Sequence, residues 1–504
     1  MKKQLQLMIV CLLAITVSVR AQIQVEPDGV GCSASSSLSK FGSNLFYFGK
    51  SETSPDSCNL FMHDGVTGTS GISLRTMGPS SATPTSYQIH EGYGKGIFTF
   101  NLNGGNSPWV TDGTTAGTFK LSTTANGASW YVNAAGKVFF PSFTSANGSE
   151  LWMTDGTVAG TQLVKDMRFG SSSSFPTEGT LFNNEVWFLA TIVNNTTSYL
   201  CKSDGTTAGT TSLTLPSGIS GSVTGRLTVL DNYLYFNIGG NTYRTDGTTA
   251  GTSLVRSGMT TFNTINNLLL ATNANSLFAI DPLTLDTNIL RSELKQPSGG
   301  WVLNNKLIFA GSTTATGSEP FVTDGTAAGT ELLANITLTS YSTTINKNVA
   351  YLNNELYFST QIGVWKTNGT AAGTFSTGIT LAAGELNSLT NLNNDIYCIK
   401  TSSVIPANKK LWRLAGNTVT GIAETKQVNS LLVYPNPTHG KIHFTSDRIL
   451  SDIKIYDLTG RIIYSQNLNS LDANIDITNQ SAGIYFYHVT DEKSNLTQGK
   501  IILQ

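Results

Sequence analysis

Short apolar runs alternate with polar residues along most of the chain, and Gly, Asn and Asp separate the runs. In residues 181–188, for example, Asn183 and Asn184 divide Leu-Phe from Glu-Val-Trp-Phe. A period of two predicts half-buried β-strands, and two residues that tolerate positive φ between such runs predict a hairpin. We therefore predict an all-β protein of short antiparallel strands with essentially no helix.

A twelve-residue phrase, Glu-Leu-Trp-Met-Thr-Asp-Gly-Thr-Val-Ala-Gly-Thr at residues 150–161, recurs along the chain. Its core returns at intervals of about 42 to 49 residues, except for a gap of 78 residues between Asp246 and Asp324. Gly can adopt backbone angles that a side chain forbids, and Asp or Asn can hydrogen-bond the following backbone. We therefore predict structural turns at Asp112 and Gly113, Asp155 and Gly156, Asp204 and Gly205, Asp246 and Gly247, Asp324 and Gly325, and Asn368 and Gly369.

Weaker copies of the phrase at residues 64–65, 277–282 and 411–416 bring the number of units to nine, between about residues 33 and 421. A hairpin followed by a strand, the repeated turn and a last strand makes a four-stranded antiparallel meander. Radial repetition of such units is typical of a β-propeller. The count leaves eight or nine blades open, because closed rings usually carry about four to eight.

The repeated phrase resembles the ELWxxDGTxxGT repeat family of bacterial secreted proteins. The full pattern stands at residues 150–161, a near copy stands at 319–330, and the repeats cover about three quarters of the chain. The resemblance implies no established reaction. Copies such as residues 200–205 keep the turn and change the strand, which is typical of a structural motif.

The N-terminal residues have the parts of a secretory signal peptide: Lys2 and Lys3, an apolar run from about residue 7 to 19, and small residues before Gln22. We predict cleavage between Ala21 and Gln22. The apolar run is too short for a membrane span, so we expect export and no membrane-spanning segment.

The last residues follow a different pattern, with short alternating strands punctuated by Pro, Asn and Gly, and they predict a small Ig-like β-sandwich. Four segments resemble, in their order and sequence, the C-terminal sorting domain (type A-like) of proteins exported by the type IX secretion system. They are residues 433–440, 453–461, 482–489 and 500–504. The resemblance implies that the type IX machinery is a partner, in a Bacteroidota-type bacterium. It also implies passage through the outer membrane, removal of the tail, and release or surface anchoring. An adhesive Ig-like module is the alternative.

These patterns divide the chain into four predicted segments. They are a signal peptide at residues 1–21, β-propeller repeats at 22–422, a linker at 423–430 and the sorting domain at 431–504.

Charge and cysteine content limit the classes of partner. Only 12% of the residues are charged and the formal net charge is -1, so no basic field would attract nucleic acid or an anionic membrane. Cys32 and Cys58 both lie in the first unit, with Cys58 in a predicted polar loop, and an oxidising compartment leaves a disulfide between them open. Cys201 and Cys398 lie in strand patterns and are expected to be buried as small apolar residues.

No catalytic, cofactor-binding or metal-ligating residue is predicted. His63 and His90 are the only histidines in the repeats, and neither has a metal-binding or nucleophile-activating spacing. The repeated Asp residues leave calcium open, but calcium needs about six to eight oxygens and each turn offers one carboxylate. A turn-stabilising role is favoured, because Asn368 keeps the hydrogen bond without the charge.

Aromatic residues recur at one third-strand position, including Trp109, Trp152, Trp365 and Trp412. A residue type repeated in every blade is expected to form the packing layer between blades rather than a sugar-stacking surface.

The connections after the second and fourth strands of each unit vary freely, as in residues 141–148, 169–180 and 191–198, whereas the other turns are stereotyped. Variable loops on a rigid scaffold are where binding specificity tends to lie. We therefore predict a secreted or surface-displayed module for binding, adhesion or scaffolding, whose ligand is an unknown extracellular glycan or protein. The alternatives are a propeller enzyme acting on extracellular polysaccharide or protein, and a purely structural surface-layer component.

Overall fold

The structure is a computed structural model, and it describes residues 22–24, 38–51, 54–66, 71–79, 89–102, 105–193, 196–336, 349–360, 362–379, 389–401, 409–414, 431–457, 461–492 and 496–504. The chain divides into two compact units, Met1–Gly416 and Asn417–Gln504. The predicted signal peptide, linker and Cys32 lie outside the described residues. The predicted domain limits and the predicted disulfide therefore stay predictions.

The first unit consists of nine four-stranded antiparallel sheets within the described ranges, which we call blades one to nine. The N-terminal strand is β1 (Gln22–Gln24). Blade one contains β2 to β5 (Leu38–Phe41, Asn44–Ser51, Ser54–His63, Ile72–Pro79), and blade two contains β6 to β9 (His90–Gly92, Lys95–Leu102, Gly105–Thr111, Phe119–Lys120). Blade three contains β10 to β13 (Val132–Ala134, Lys137–Thr144, Gly148–Thr154, Gln162–Lys165), and blade four contains β14 to β17 (Thr177–Phe182, Glu185–Thr191, Ser198–Ser203, Thr211–Ser212).

The later blades repeat the same order. Blade five contains β18 to β21 (Val223–Leu230, Tyr233–Ile238, Asn241–Thr245, Ser253–Arg256), and blade six contains β22 to β25 (Thr260–Ile265, Leu268–Thr272, Ser276–Ile280, Thr287–Ser292). Blade seven contains β26 to β29 (Lys295–Leu303, Lys306–Ser312, Ser318–Thr323, Glu331–Leu332), and blade eight contains β30 to β33 (Ala350–Leu352, Glu355–Thr360, Gly363–Thr367, Phe375–Ile379). Blade nine contains β34 to β36 (Thr390–Leu392, Asp395–Thr401, Lys409–Leu414).

Blade nine takes its fourth strand from the other end of the repeat region. Strand β1 pairs antiparallel with β36, with Ile23 opposite Arg413. A buried apolar cluster that includes Tyr47 of blade one and Tyr397 of blade nine joins the last blade to the first. Among the described residues the ring therefore closes with nine blades, and this confirms the predicted all-β propeller-like fold.

The first strands of neighbouring blades pack against one another, as β10 does on β14, β14 on β18 and β18 on β22. The first strands therefore lie innermost and the fourth strands outermost. Apolar side chains of neighbouring blades form the core between them. Trp109 and Trp412 are buried in such clusters, Trp365 packs against another, and Trp152 is buried with Phe140 of its own blade and Ala125 of the connection before it. The repeated aromatic residue thus belongs to the packing layer.

The hairpin between the first two strands has the turn chemistry that the sequence predicts. Asn183 and Asn184 have φ of 51° and 61°, and the Asn pairs of four later blades are also left-handed. Asn tolerates this conformation better than most side chains, which explains its recurrence.

The second unit is a β-rich domain with strands β37 to β41 (Leu432–Tyr434, Lys441–Tyr456, Ile462–Asp476, Gly483–Asp491, Leu496–Leu503). The long strand β38 pairs with β39 along one edge, and with β37 and then β40 along the other, so hydrogen bonds link all five strands. A register shift between Thr445 and Leu450 allows β38 to bend. Side chains of β38 to β41, among them Phe444 and Ile501, form the core.

No helix in the described ranges is long and apolar enough to span a membrane.

Candidate functional site

The ring has two ends with different loops. We call the end with the Asn-Asn hairpins and the Asp-Gly-Thr turns the repeat-turn face. We call the end with the connections between second and third strands and between successive blades the variable-loop face.

Each repeated turn is closed by its own side chains. The Oδ1 atom of Asp155 accepts hydrogen bonds from the Thr157 amide at 2.9 Å and the Thr157 hydroxyl at 2.7 Å. The Thr157 hydroxyl oxygen in turn accepts from the Gly160 amide at 2.9 Å. The same three bonds occur at Asp112, Asp204, Asp246, Asp324 and Asn368.

Both glycines of the phrase are required by this geometry. Gly156 has φ of 79°, a conformation that disfavours a side chain. A Cβ atom on Gly160 would lie 2.1 Å from the Asp155 carboxylate. The same conflict exists at the second glycine of the other repeated turns. The recurring Asp-Gly-Thr-x-x-Gly-Thr pattern therefore follows from one compact turn.

The turns also hold neighbouring blades together. Lys95 of blade two donates from Nζ to the Gly156 carbonyl oxygen of blade three at 3.0 Å, and Asn266 of blade six donates to the Asp324 carbonyl oxygen of blade seven at 2.9 Å. Gly205 faces Met153 and Phe139 of the preceding blade. The repeat-turn face is therefore largely occupied in assembling the ring.

Hydrogen bonds from Thr248, from its hydroxyl and then its amide, hold the pKa of Asp246 below its usual value. The pKa values of the other turn Asp residues are shifted the same way. No group of three or more His, Cys, Asp or Glu residues that could hold a metal ion occurs in the part of the chain that the structure describes.

On the variable-loop face, three segments at blades three and four form one hydrogen-bonded surface. They are residues 143–149, 166–176 and 191–193. Asn147 donates to the Asp166 carboxylate at 3.1 Å, and Thr191, at the start of the third segment, donates from its amide to the Ser174 carbonyl oxygen at 2.7 Å. The loop between β11 and β12 is shorter than the predicted residues 141–148, because β11 continues past Pro141 to Thr144. Strand β10 pairs with β11 only as far as Phe139, so Pro141 has no partner on that edge and its missing N–H is tolerated.

Large apolar side chains are exposed on this surface. Phe169 is 96% exposed, Phe175 55%, Val193 74% and Phe143 46%. Phe143 lies opposite Ser149 on the neighbouring strand, and the Ser149 carbonyl oxygen accepts a hydrogen bond from the Phe175 amide at 3.2 Å. Single exposed apolar residues are ordinary, but several on adjoining segments are typical of an interaction surface. We call this surface, residues 143–149, 166–176 and 191–193, the phenylalanine platform.

Four consecutive inner strands are irregular near the variable-loop face. Strands β14, β18, β22 and β26 each contain a register shift close to their first residues. Glu178 and Gln296 have positive φ there, at 57° and 48°, and both are exposed. Bulges often lie next to functional sites, where they redirect side chains.

The Glu that begins the repeated phrase has a role that its sequence position did not reveal. The structure buries Glu150 completely on β12. Glu319 is equally buried at the matching position of β28. A carboxylate that recurs inside an otherwise apolar strand is the signal that could have indicated this burial.

Cys58 lies buried on β4, not in a polar loop, because that strand begins at Ser54. Cys201 and Cys398 are fully buried on β16 and β35. Burial raises the pKa of the Cys201 thiol to about 12.

Comparison with known proteins identifies the second unit. Residues 432–504 match the family model of the secretion system C-terminal sorting domain. Comparison of the sequence with curated proteins gave no match.

Three solved structures show the range of structural similarity. PorZ, a surface component of the type IX secretion system of Porphyromonas gingivalis, is 12% identical over 93% of this chain and 81% of its own, with a TM-score of 0.29. A prolyl endopeptidase is 11% identical over 81% of this chain and 55% of its own, with a TM-score of 0.39, so the chain spans about half of that enzyme. The extracellular domain of a one-component system from B. thetaiotaomicron is 9% identical over 93% of this chain and 86% of its own, with a TM-score of 0.26.

The fold and the family match agree on the second unit, where the five-stranded β-rich domain coincides with the matched residues. A sorting domain of this kind directs a protein through the type IX secretion machinery to the cell surface or the extracellular medium. The chain thus carries a type IX secretion C-terminal sorting domain at residues 432–504.

Proposed function

We propose that the propeller acts outside the cell as a binding module and takes a glycan or protein ligand on the phenylalanine platform. The resemblance of the repeats to the ELWxxDGTxxGT family of bacterial secreted proteins agrees with an extracellular role.

The observation that carries the proposal is the contrast between the two faces. On the repeat-turn face, the turn side chains bond within the turn and the turns pack on the preceding blade. On the variable-loop face, Phe169 and Phe175 stand in solvent on a loop whose backbone is fixed. Burying such side chains against a ligand would contribute roughly 1.5 to 3 kcal/mol each.

An array of extracellular glycans and peptides, probed with the full chain recovered from the medium, tests the proposal. We expect retention on a defined subset of the array. The double variant Phe169→Ala and Phe175→Ala should lose this retention and keep the wild-type melting temperature, because exposed side chains contribute little to stability.

The matched control is Phe375→Ala. Phe375 is 46% exposed but lies on β33, the outer strand of blade eight. Its loss should leave retention unchanged. Equal loss of retention in the control and the double variant would count against the phenylalanine platform as the binding surface.

A further inference from the structure

Glu150 is a buried carboxylate with an unusual set of partners. Its side chain is fully buried, and no Lys or Arg among the described residues lies within ion-pair distance of it. Its partners are all hydrogen-bond donors. Oε1 accepts from the Ser174 amide at 2.9 Å, and Oε2 accepts from the Ser174 hydroxyl at 2.6 Å and the Met167 amide at 3.2 Å. Burying a carboxylate is costly, so the bonds that compensate for it define a well-fixed geometry.

The three donors belong to the two ends of one loop. Met167 and Ser174 bracket residues 168–173, which include Phe169, and Phe175 follows directly. One side chain on β12 therefore accepts hydrogen bonds at both points at which the exposed loop leaves and rejoins the blade, and the Ser174 amide also donates to the Ser149 carbonyl oxygen at 3.0 Å.

We infer that Glu150 is a positioning residue of the variable-loop face, which holds the 166–176 loop in the conformation that presents Phe169 and Phe175. The inference rests on the proposed function for the use of that loop in binding. Whether Glu150 holds the loop in place can be measured independently of whether the loop binds a ligand.

The hydrogen bonds that hold the loop persist when the Glu150 carboxylate is protonated. Burial, with a smaller contribution from Asp166, raises the pKa of Glu150 to about 7 despite the hydrogen bonds from Ser174 and Met167. The Ser174 hydroxyl oxygen also lies 3.4 Å from the Ser149 carbonyl oxygen. A protonated Glu150 can therefore donate to the Ser174 hydroxyl oxygen while that hydroxyl turns to Ser149, and both amide bonds remain.

The charged groups near this site are few. Asp166 and Arg168 lie on the same loop, where Arg168 donates to the Ser173 carbonyl oxygen at 3.2 Å. On the adjacent strand β11 the residue opposite Glu150 is Ser142, which is uncharged. On the other adjacent strand, β13, Lys165 lies opposite Leu151 and donates from Nζ to the Thr210 carbonyl oxygen at 2.7 Å.

Blade seven provides a matched control. Glu319 occupies the same position of the phrase, is fully buried, and accepts from the Ile336 amide at 2.9 Å, which lies 17 residues further on as Met167 does from Glu150. Removing the Glu319 carboxylate changes the equivalent contact in another part of the ring.

Hydrogen–deuterium exchange on the full chain tests the inference, with peptides covering residues 166–175 and 331–336 followed separately. Glu150→Ala should speed exchange in the first peptide roughly tenfold and leave the second unchanged, since the Met167 amide loses its acceptor and the Ser174 amide keeps only the Ser149 carbonyl oxygen. Glu319→Ala should do the reverse. Glu150→Gln should speed exchange less than Glu150→Ala, because the carboxamide oxygen still accepts from the Ser174 amide and the NH2 group donates to the Ser174 hydroxyl oxygen, while the Met167 amide loses its acceptor.

Ser174→Ala keeps the backbone donor and removes the hydroxyl, so it tests the inference if Glu150→Ala does not fold. It should speed exchange in the first peptide, and more so at pH 5, where the protonated carboxyl has lost its hydroxyl acceptor, than at pH 8. The inference is overturned if Glu150→Ala folds with unchanged exchange in residues 166–175, or if Ser174→Ala exchanges like wild type at both pH values. Altered exchange in a protein that binds nothing on the array would uphold the inference and refute the proposed binding function.

Discussion

Lys306 of blade seven reaches Gly369 of blade eight, donating from Nζ to its carbonyl oxygen at 3.1 Å, and so repeats a contact made between blades two and three. In other blades the donor is the first Asn of the hairpin turn, and the acceptor is the Asp carbonyl oxygen one residue earlier, as with Asn183 and Asp246. Two different side chains thus perform the same task. The hairpin of one blade hydrogen-bonds to the repeated turn of the next. This contact is a reason for the hairpin sequence and the Asp-Gly-Thr sequence to recur together.

The first prediction concerns the packing of the repeated turn. Gly205→Ala should lower stability by more than Gly218→Ala, although both glycines have φ near 90°. Both substitutions force a side chain into a left-handed conformation, which costs on the order of 1 to 2 kcal/mol. At Gly205 the new Cβ would also lie 3.3 Å from Met153 and Phe139, whereas at Gly218 it meets no atom within 4 Å. Equal melting temperatures of the two variants would contradict the packing role of the turn.

The second prediction concerns the charge of the turn Asp. Asp246→Asn should fold like wild type near pH 7, because Asn368 makes the same two hydrogen bonds in blade eight. Asp246→Ala should lose both bonds and at most about 1 kcal/mol of stability.

Acid distinguishes the Asn variant from wild type. The folded-state pKa of Asp246 is lowered, so its contribution is present above the ordinary value of 3.8 and is lost as the pH falls through the folded-state value. Between pH 4 and pH 2, thermal unfolding of wild type should therefore shift down further than that of Asp246→Asn. Parallel curves for the two proteins would refute a stabilising role for the charge.

The third prediction has the opposite sign of pH dependence. The pKa of Glu150 rises from 4.5 to about 7 on folding, so the folded chain binds an extra proton between these values. Its free energy of unfolding should fall as the pH rises through that interval, by no more than about 3 kcal/mol. Glu150→Gln should lack this component, so the melting temperature of wild type should fall relative to that of the variant from pH 5 to pH 8. A constant difference would show that Glu150 titrates as an ordinary carboxyl group.

The fourth prediction concerns export. Deleting residues 431–504 removes the sorting domain, and we expect the truncated chain to accumulate in the periplasm. Immunoblotting of periplasmic and extracellular fractions measures this, with Phe375→Ala in the full chain as the control for normal export. Recovery of the truncated chain from the medium at the control level would show that the tail is dispensable.

Local turn chemistry accounts for what the sequence predicted well. The bonds that close the turn at Asp155 all lie within residues 155–160, so the repeated phrase carries the whole turn and, through its period, the blade. The burial of Glu150 depends on Ser174, which lies 24 residues away in a loop of no recognisable pattern. The sequence places Phe169 in a variable connection, but an aromatic residue ordinarily indicates a core position, so the exposure of its side chain was not predicted. Closure by β1 depends on a pairing between residues almost 400 positions apart.

The last prediction concerns that closure. Removing Gln22–Gln24 from the exported chain would leave β36 as an exposed strand edge in blade nine, because β1 supplies its partner along Trp412 to Leu414. An unpaired edge invites association between molecules, so the shortened chain should melt at a lower temperature and form concentration-dependent oligomers. Light scattering and thermal unfolding of the two chains at matched concentrations would measure both effects. The control substitutes Gln22 and Gln24 by Ser, which keeps the backbone ladder and should behave like wild type. If the deletion leaves melting and oligomeric state unchanged, the ring does not depend on its N-terminal strand for closure.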